Sequence, residues 1–121
     1  MRRPRTAAGK RLVDSMNAAL ARTSTETGQA LVWSEQEEAA LERAGETVDR
    51  AEQVRKLLSS ALKADEPNPS VVVKLSAELR MLDKQVVDLL GKLNPEGEGP
   101  AKSQRHVRAA RSRWDRSAGG A

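Results

Sequence analysis

The stretch from Pro69 to Leu93 admits few folds. In it Val72, Leu75, Leu79, Leu82, Val86, Leu89 and Leu93 recur at alternating steps of three and four. That is a heptad seam, the pattern by which one helix packs along another. Lys74, Glu78, Arg80, Asp83, Lys84 and Asp88 keep largely off it. Each Leu or Val left in water forfeits about 1.5–3 kcal/mol, so such a helix requires a partner.

A partner precedes it in the chain. Leu41, Ala44, Val48, Ala51, Arg55, Leu58 and Leu62 repeat at the same steps, and Val54 replaces Arg55 on the stripe if the helix winds at 3.6 residues per turn. Ser34 followed by Glu37 reads as a capping box, with Glu35, Glu37 and Glu38 at the positive end of the helix dipole. Glu46/Arg50 and Glu52/Lys56 read as supportive pairs one turn apart. Asp65-Glu66-Pro67-Asn68-Pro69 breaks the helix, Asn68 can cap the next one, and Pro69 suits its first position. So short a connection predicts antiparallel neighbours.

The two stripes are unequal. One offers Ala44, Ala51 and Arg55 where the other carries large side chains, and Val71, Val73, Val87 and Leu90 broaden the larger stripe. Leu12, Val13, Met16, Ala19 and Leu20 share one face of a short helix that can cover part of it. Further copies of the chain are expected to cover the rest, because a thin core of Leu, Val and Ala stabilises a lone chain of 121 residues poorly.

The expected architecture is all-α: a short N-terminal helix, a long antiparallel helical hairpin and a basic, partly helical C-terminal tail. Residues 1–8 read as a disordered basic arm. Residues 9–94 read as a helical oligomerisation domain, with helices about 9–22, 34–64 and 69–93 and a polar loop from Thr23 to Gly28. Leu31, Val32 and Trp33 are expected to tuck onto the bundle. Residues 95–121 read as a flexible linker and basic tail.

Catalytic chemistry is scarce. The chain has no Cys, which excludes disulfides and thiolate sites, and its one histidine, His106, sits among arginines that oppose a bound cation. A serine triad lacks any other base. Gly99 to Ser103 superficially imitates a phosphate loop, but Glu96 and Ala101 stand where that loop needs glycines. Glu35, Glu37, Glu38 and Glu42 suit a solvated helix start better than a metal. The expectation is a protein that is not an enzyme, with no cofactor, no metal and no membrane partner.

Charge carries the functional signal. Residues 1–22 hold six Arg and Lys against Asp14, residues 23–66 five against ten acids, and residues 101–121 six against Asp115. An acidic middle between two basic ends points to a polyanion. The candidate DNA-binding residues are Arg2, Arg3, Arg5, Lys10 and Arg11 at one end, and Lys102, Arg105, Arg108, Arg111, Arg113 and Arg116 at the other, all able to neutralise phosphates. Val107 and Trp114 share a face of the tail and read as a partner anchor.

A basic helix start (Gly9, Lys10, Arg11, Leu12) precedes an acidic one (Glu35 to Glu38). Leu41, Ala44 and Asp49-Arg50 follow, then a Pro69-led helix with Leu75, Glu78 and Arg80, and a tail reading R-H-V-R-A-A-R-S-R-W. Over about residues 6–116 this order resembles small terminase subunits of tailed bacteriophages, especially those of actinobacteria. The resemblance implies a non-catalytic DNA-packaging factor in the host cytoplasm. It implies a ring-forming homo-oligomer built through Leu75, Leu79, Leu82, Val86 and Leu89. It also implies two partners, double-stranded DNA at the basic N-terminal segment and the terminase large subunit, an ATPase and nuclease, at the tail. Many relatives carry an N-terminal helix-turn-helix, whereas residues 1–33 here read as one short helix. The alternatives are a coiled-coil adaptor protein and a small nucleoid-type DNA-binding protein.

Overall fold

The computed structural model describes residues 1–96. They form an all-α structure of three helices, α1 (Ala7–Thr27), α2 (Glu35–Lys63) and α3 (Pro69–Leu90).

Local chemistry sets the ends of α2 and α3. Ser34 Oγ accepts from the Glu37 N–H at 3.1 Å, while Glu37 Oε1 accepts from the Ser34 N–H at 3.2 Å, a reciprocal capping box. Asn68 Oδ1 accepts from the N–H groups of Ser70 and Val71, and Pro69 takes the first position of α3, where its missing N–H is harmless.

The order of contacts runs in opposite directions along α2 and α3. Near the start of α2, Ala40 and Leu41 share a cluster with Leu93 and, at its edge, Leu89 and Leu90. Further along, Ala51 and Val54 meet Leu82, Leu79 and Leu75. Glu37 Oε2 also accepts from the Asn94 N–H at 3.2 Å, joining the base of α2 to the chain just beyond α3. Val54 rather than Arg55 faces the core, as winding at 3.6 residues per turn requires, and Arg55 turns out to Glu52 and Asp83. The ion pairs differ from those expected one turn apart: Arg50 reaches across to Glu78 at 3.6 Å, and Glu52 takes Arg55.

Several boundaries differ from the sequence reading. Residues 1–6 do not hang free but lie against α2, held by hydrogen bonds to Glu42 and Asp49, with Pro4 buried. Helix α1 starts at Ala7, capped by Thr6, and continues to Thr27 through the segment expected to loop. There Thr23, Thr25 and Thr27 each donate a hydroxyl to the carbonyl four residues back, so the polar side chains are satisfied within the helix. Gly28, at φ 70°, supplies the left-handed residue that stops it. Helix α3 ends at Leu90, and Leu93 lies in the turn beyond, yet it still packs into the core at 6% exposure.

Helix α1 packs on the first half of α2 alone. Val13 joins Ala40 and Leu41 in the core, and Met16 and Trp33 close over them. The Trp33 ring is anchored by its Nε1–H donating to Asn17 Oδ1 at 2.8 Å. Beyond Val54 the hairpin has no such cover. Leu57 and Leu62 on α2, and Val71, Val73, Met81 and Val87 on α3, are all more than two-fifths exposed. Leu82 is the one buried residue of α3. Val73 stands nine positions before it, two and a half turns, and so on the opposite side. No described helix is long and apolar enough to cross a membrane.

Candidate nucleic-acid interface

The basic arm is held chiefly by one carboxylate, Asp49, with Glu42 and Asp14 adding contacts. Asp49, midway along α2, accepts from the Arg5 N–H at 2.7 Å, the Thr6 N–H at 3.0 Å and the Thr6 hydroxyl at 2.6 Å. Thr6 Oγ in turn accepts from the Gly9 N–H at 2.9 Å, capping α1. Asp49 therefore fixes the arm and the start of α1 together. Partial burial pushes its pKa up, but the hydrogen bonds from Arg5 and Thr6, with the Arg5 charge, outweigh burial and hold it below the usual carboxylate range.

Steric complementarity completes the attachment. The Pro4 ring occupies a notch where α1 and α2 carry glycine. A Cβ built on Gly45 would stand 2.6 Å from Pro4 Cγ, and one on Gly9 would stand 2.7 Å from Pro4 Cβ and 2.5 Å from Asp49 Oδ1. Both glycines are needed for close approach of the arm.

Along this arm, α2 and α3 runs an open groove of about 720 Å³. Of the residues expected to bind DNA, Arg2, Arg3 and Arg5 line it, and Lys10 and Arg11 are exposed on α1 outside its lining. Arg3 is held by Asp14 through two bonds of 3.0 Å, which raise the arginine's pKa and lower the aspartate's, chiefly by hydrogen bonding. Arg43 and Arg50 of α2, not expected at this end, line the same groove. Their signal was their seven-residue spacing, which puts both on one helix face, but the acidic balance of residues 23–66 hid it. Glu46, Asp49 and Glu78 also line the groove, so five arginines face three acids.

The seam is split by depth. Leu82 and Leu93 are buried, while Val72, Leu75, Leu79, Val86 and Leu89 are half-buried. Lys102, Arg105, Arg108, Arg111, Arg113 and Arg116, with Val107 and Trp114, lie outside the described residues, as does His106. Glu37, one of the acids weighed as a metal ligand, is instead turned inward at 1% exposure and spent on capping and on Asn94. Comparison with family models, with curated proteins and with solved structures found no match to this chain.

Proposed function

We propose that this chain is the small subunit of a phage terminase, a non-catalytic factor that self-associates, binds viral duplex DNA and regulates the large subunit's ATPase and nuclease. The observation that carries the reading is the hairpin's uncovered apolar surface. Val71, Val73, Met81 and Val87 face solvent along a helix with one buried residue, and cationic side chains gather on the arm and on α2 at Arg43 and Arg50. Copies of the chain covering that surface gather many basic arms on one scaffold. Each arm adds phosphate contacts that release counterions, so the assembly binds DNA far more tightly than one arm does.

The test is the mass of the purified protein by light scattering at micromolar concentration, together with a DNA mobility shift across a salt series. A defined multimer whose DNA binding weakens steeply with salt is expected. A monomer with no shift at low salt defeats the proposal. Stimulation of a large terminase's ATPase separates it from a nucleoid-type DNA binder. Loss of a protein partner with DNA binding intact, on deletion of residues 102–121, favours an adaptor instead.

A further inference from the structure

We infer that the groove between residues 2–5, α2 and α3 is a binding site for a phosphodiester backbone, with Arg43 and Arg50 as direct contacts and Asp49 as the positioning residue. The inference rests on the DNA-binding reading above and adds to it residues from the acidic middle of the chain, together with a geometry.

Three observations converge. First, the groove collects guanidinium groups from two separate elements, Arg2, Arg3 and Arg5 from the arm and Arg43 and Arg50 from α2. Second, three of these cations are weakly committed, whereas Arg3 is paired with Asp14 and Arg5 lies beside Asp49. No carboxylate among the described residues lies within ion-pair distance of the Arg2 or Arg43 side chain, and Arg50 meets Glu78 only at 3.6 Å while remaining mostly exposed. Surface pairs of that kind are worth little, so a phosphate can displace one. Third, the acid nearest the arm is already occupied. Both Asp49 oxygens accept hydrogen bonds from the arm backbone and Thr6.

Shape decides between a single phosphate and a strand. An enclosed pocket suits one phosphate, whereas this groove is open and its α2 lining runs from Arg43 to Gln53. Arg43 and Arg50 are seven residues apart on one helix, about 10 Å along its axis. Two arginines that far apart can meet different phosphates of one strand. The docked arm then adds cations on the facing wall. Guanidinium forks match phosphate oxygens in a way that a lysine would not.

The experiment is fluorescence anisotropy of the full chain with a labelled duplex of arbitrary sequence, over a salt series. Arg43→Gln and Arg50→Gln, both at exposed positions, are each expected to weaken binding several-fold. Each should lower the slope of log affinity against log salt by about 0.9 per lost phosphate contact. Asp49→Ala is the sharper case. It removes a negative charge, so net charge alone predicts tighter binding, whereas release of the arm predicts weaker binding. Thr6→Val removes the hydroxyl bond with no change of charge and is expected to weaken binding too. Far-ultraviolet circular dichroism and particle mass, matched to wild type, establish that each variant is folded. Inorganic phosphate at matched ionic strength is expected not to displace the duplex, and displacement by it overturns the strand reading. Unchanged affinity and slope in both arginine variants, with wild-type binding intact, overturns the groove and leaves DNA contact to other residues. Absence of any binding by wild type at low salt overturns the packaging reading itself.

Discussion

Gly45→Ala should destabilise this protein, although glycine in mid-helix is ordinarily the weaker residue. In isolation the change favours α2 by about 1 kcal/mol, because alanine has the higher helix propensity. Here the new methyl would stand 2.6 Å from Pro4 Cγ and 3.3 Å from Val13 Cγ2. Overpacking of that order typically costs 1–3 kcal/mol. The net expectation is a loss of about 1 kcal/mol, with the arm pushed off α2. Pro4→Ala removes the ring carbons that make the closest contact. In that background Gly45→Ala should regain most of its propensity advantage, stabilising by roughly 0.5 kcal/mol once the Val13 contact is allowed for. The coupling between the two sites is then about 1.5 kcal/mol, well above what independent sites show. Urea unfolding followed by circular dichroism, at one fixed protein concentration, measures all four corners of the cycle. If Gly45→Ala stabilises the full chain as much as it does the Pro4→Ala chain, the arm does not occupy the glycine notch and the reasoning fails.

Asp49→Ala should speed amide exchange at Arg5 and Thr6, whose N–H groups lose their acceptor. Because Asp49's pKa is lowered on folding, its contribution is present above the ordinary aspartate value of about 3.9 and is lost as pH falls through the folded-state pKa. The stability gap between wild type and Asp49→Ala should therefore close in acid, and a gap that persists unchanged there contradicts the assignment. Glu37→Ala leaves the Ser34 and Asn94 N–H groups without their acceptor at a buried site and should cost about 2–4 kcal/mol in urea unfolding. Glu37→Gln, which keeps an acceptor oxygen, should cost less, and equal losses would argue against the capping role. Leu41→Ala, at 0% exposure, should cost about 2–5 kcal/mol. Val73→Asp, at 65% exposure, should leave the fold of one chain intact yet reduce particle mass in light scattering if the hairpin tip meets further copies.

The hairpin was legible because its signals are local and redundant. The seam period, the Ser34–Glu37 box and the Asn68-Pro69 start each depend on neighbours within a turn, and most of the seam lies where its spacing puts it, Arg55 and Leu62 turning outward instead. The N-terminal arm was not legible, because its attachment is long-range. Asp49 is more than forty residues from Arg5 and Thr6, and nothing local to M-R-R-P-R-T announces a carboxylate acceptor or a pair of receiving glycines. Charge counting found the arm's arginines but could not see that Arg43 and Arg50 join them, since acids surround both in sequence. The run of threonines after Arg22 misled for a different reason. Its low helix propensity is offset when each hydroxyl returns to the backbone, which composition does not reveal.

The division of labour along the hairpin follows from where α1 stops. Helix α1 and the arm cover α2 only between its start and about Asp49, so the better-filled core cluster sits at that end, and the cationic groove runs from there to mid-hairpin at Gln53 and Leu82. The other end has Ala51 and Val54 against Leu75, Leu79 and Leu82, and leaves Leu57, Leu62, Val71 and Val73 to water. At about 25 cal/mol for each Å² of apolar surface, covering those four side chains favours association by several kcal/mol. A copy docking there lies away from the groove, so self-association need not occlude the arginines. On the proposed reading, assembly through the tip and phosphate contact in the groove use separate stretches of one hairpin. Mutations at the exposed tip should change particle mass without changing the salt slope per arm, and mutations in the groove should do the reverse.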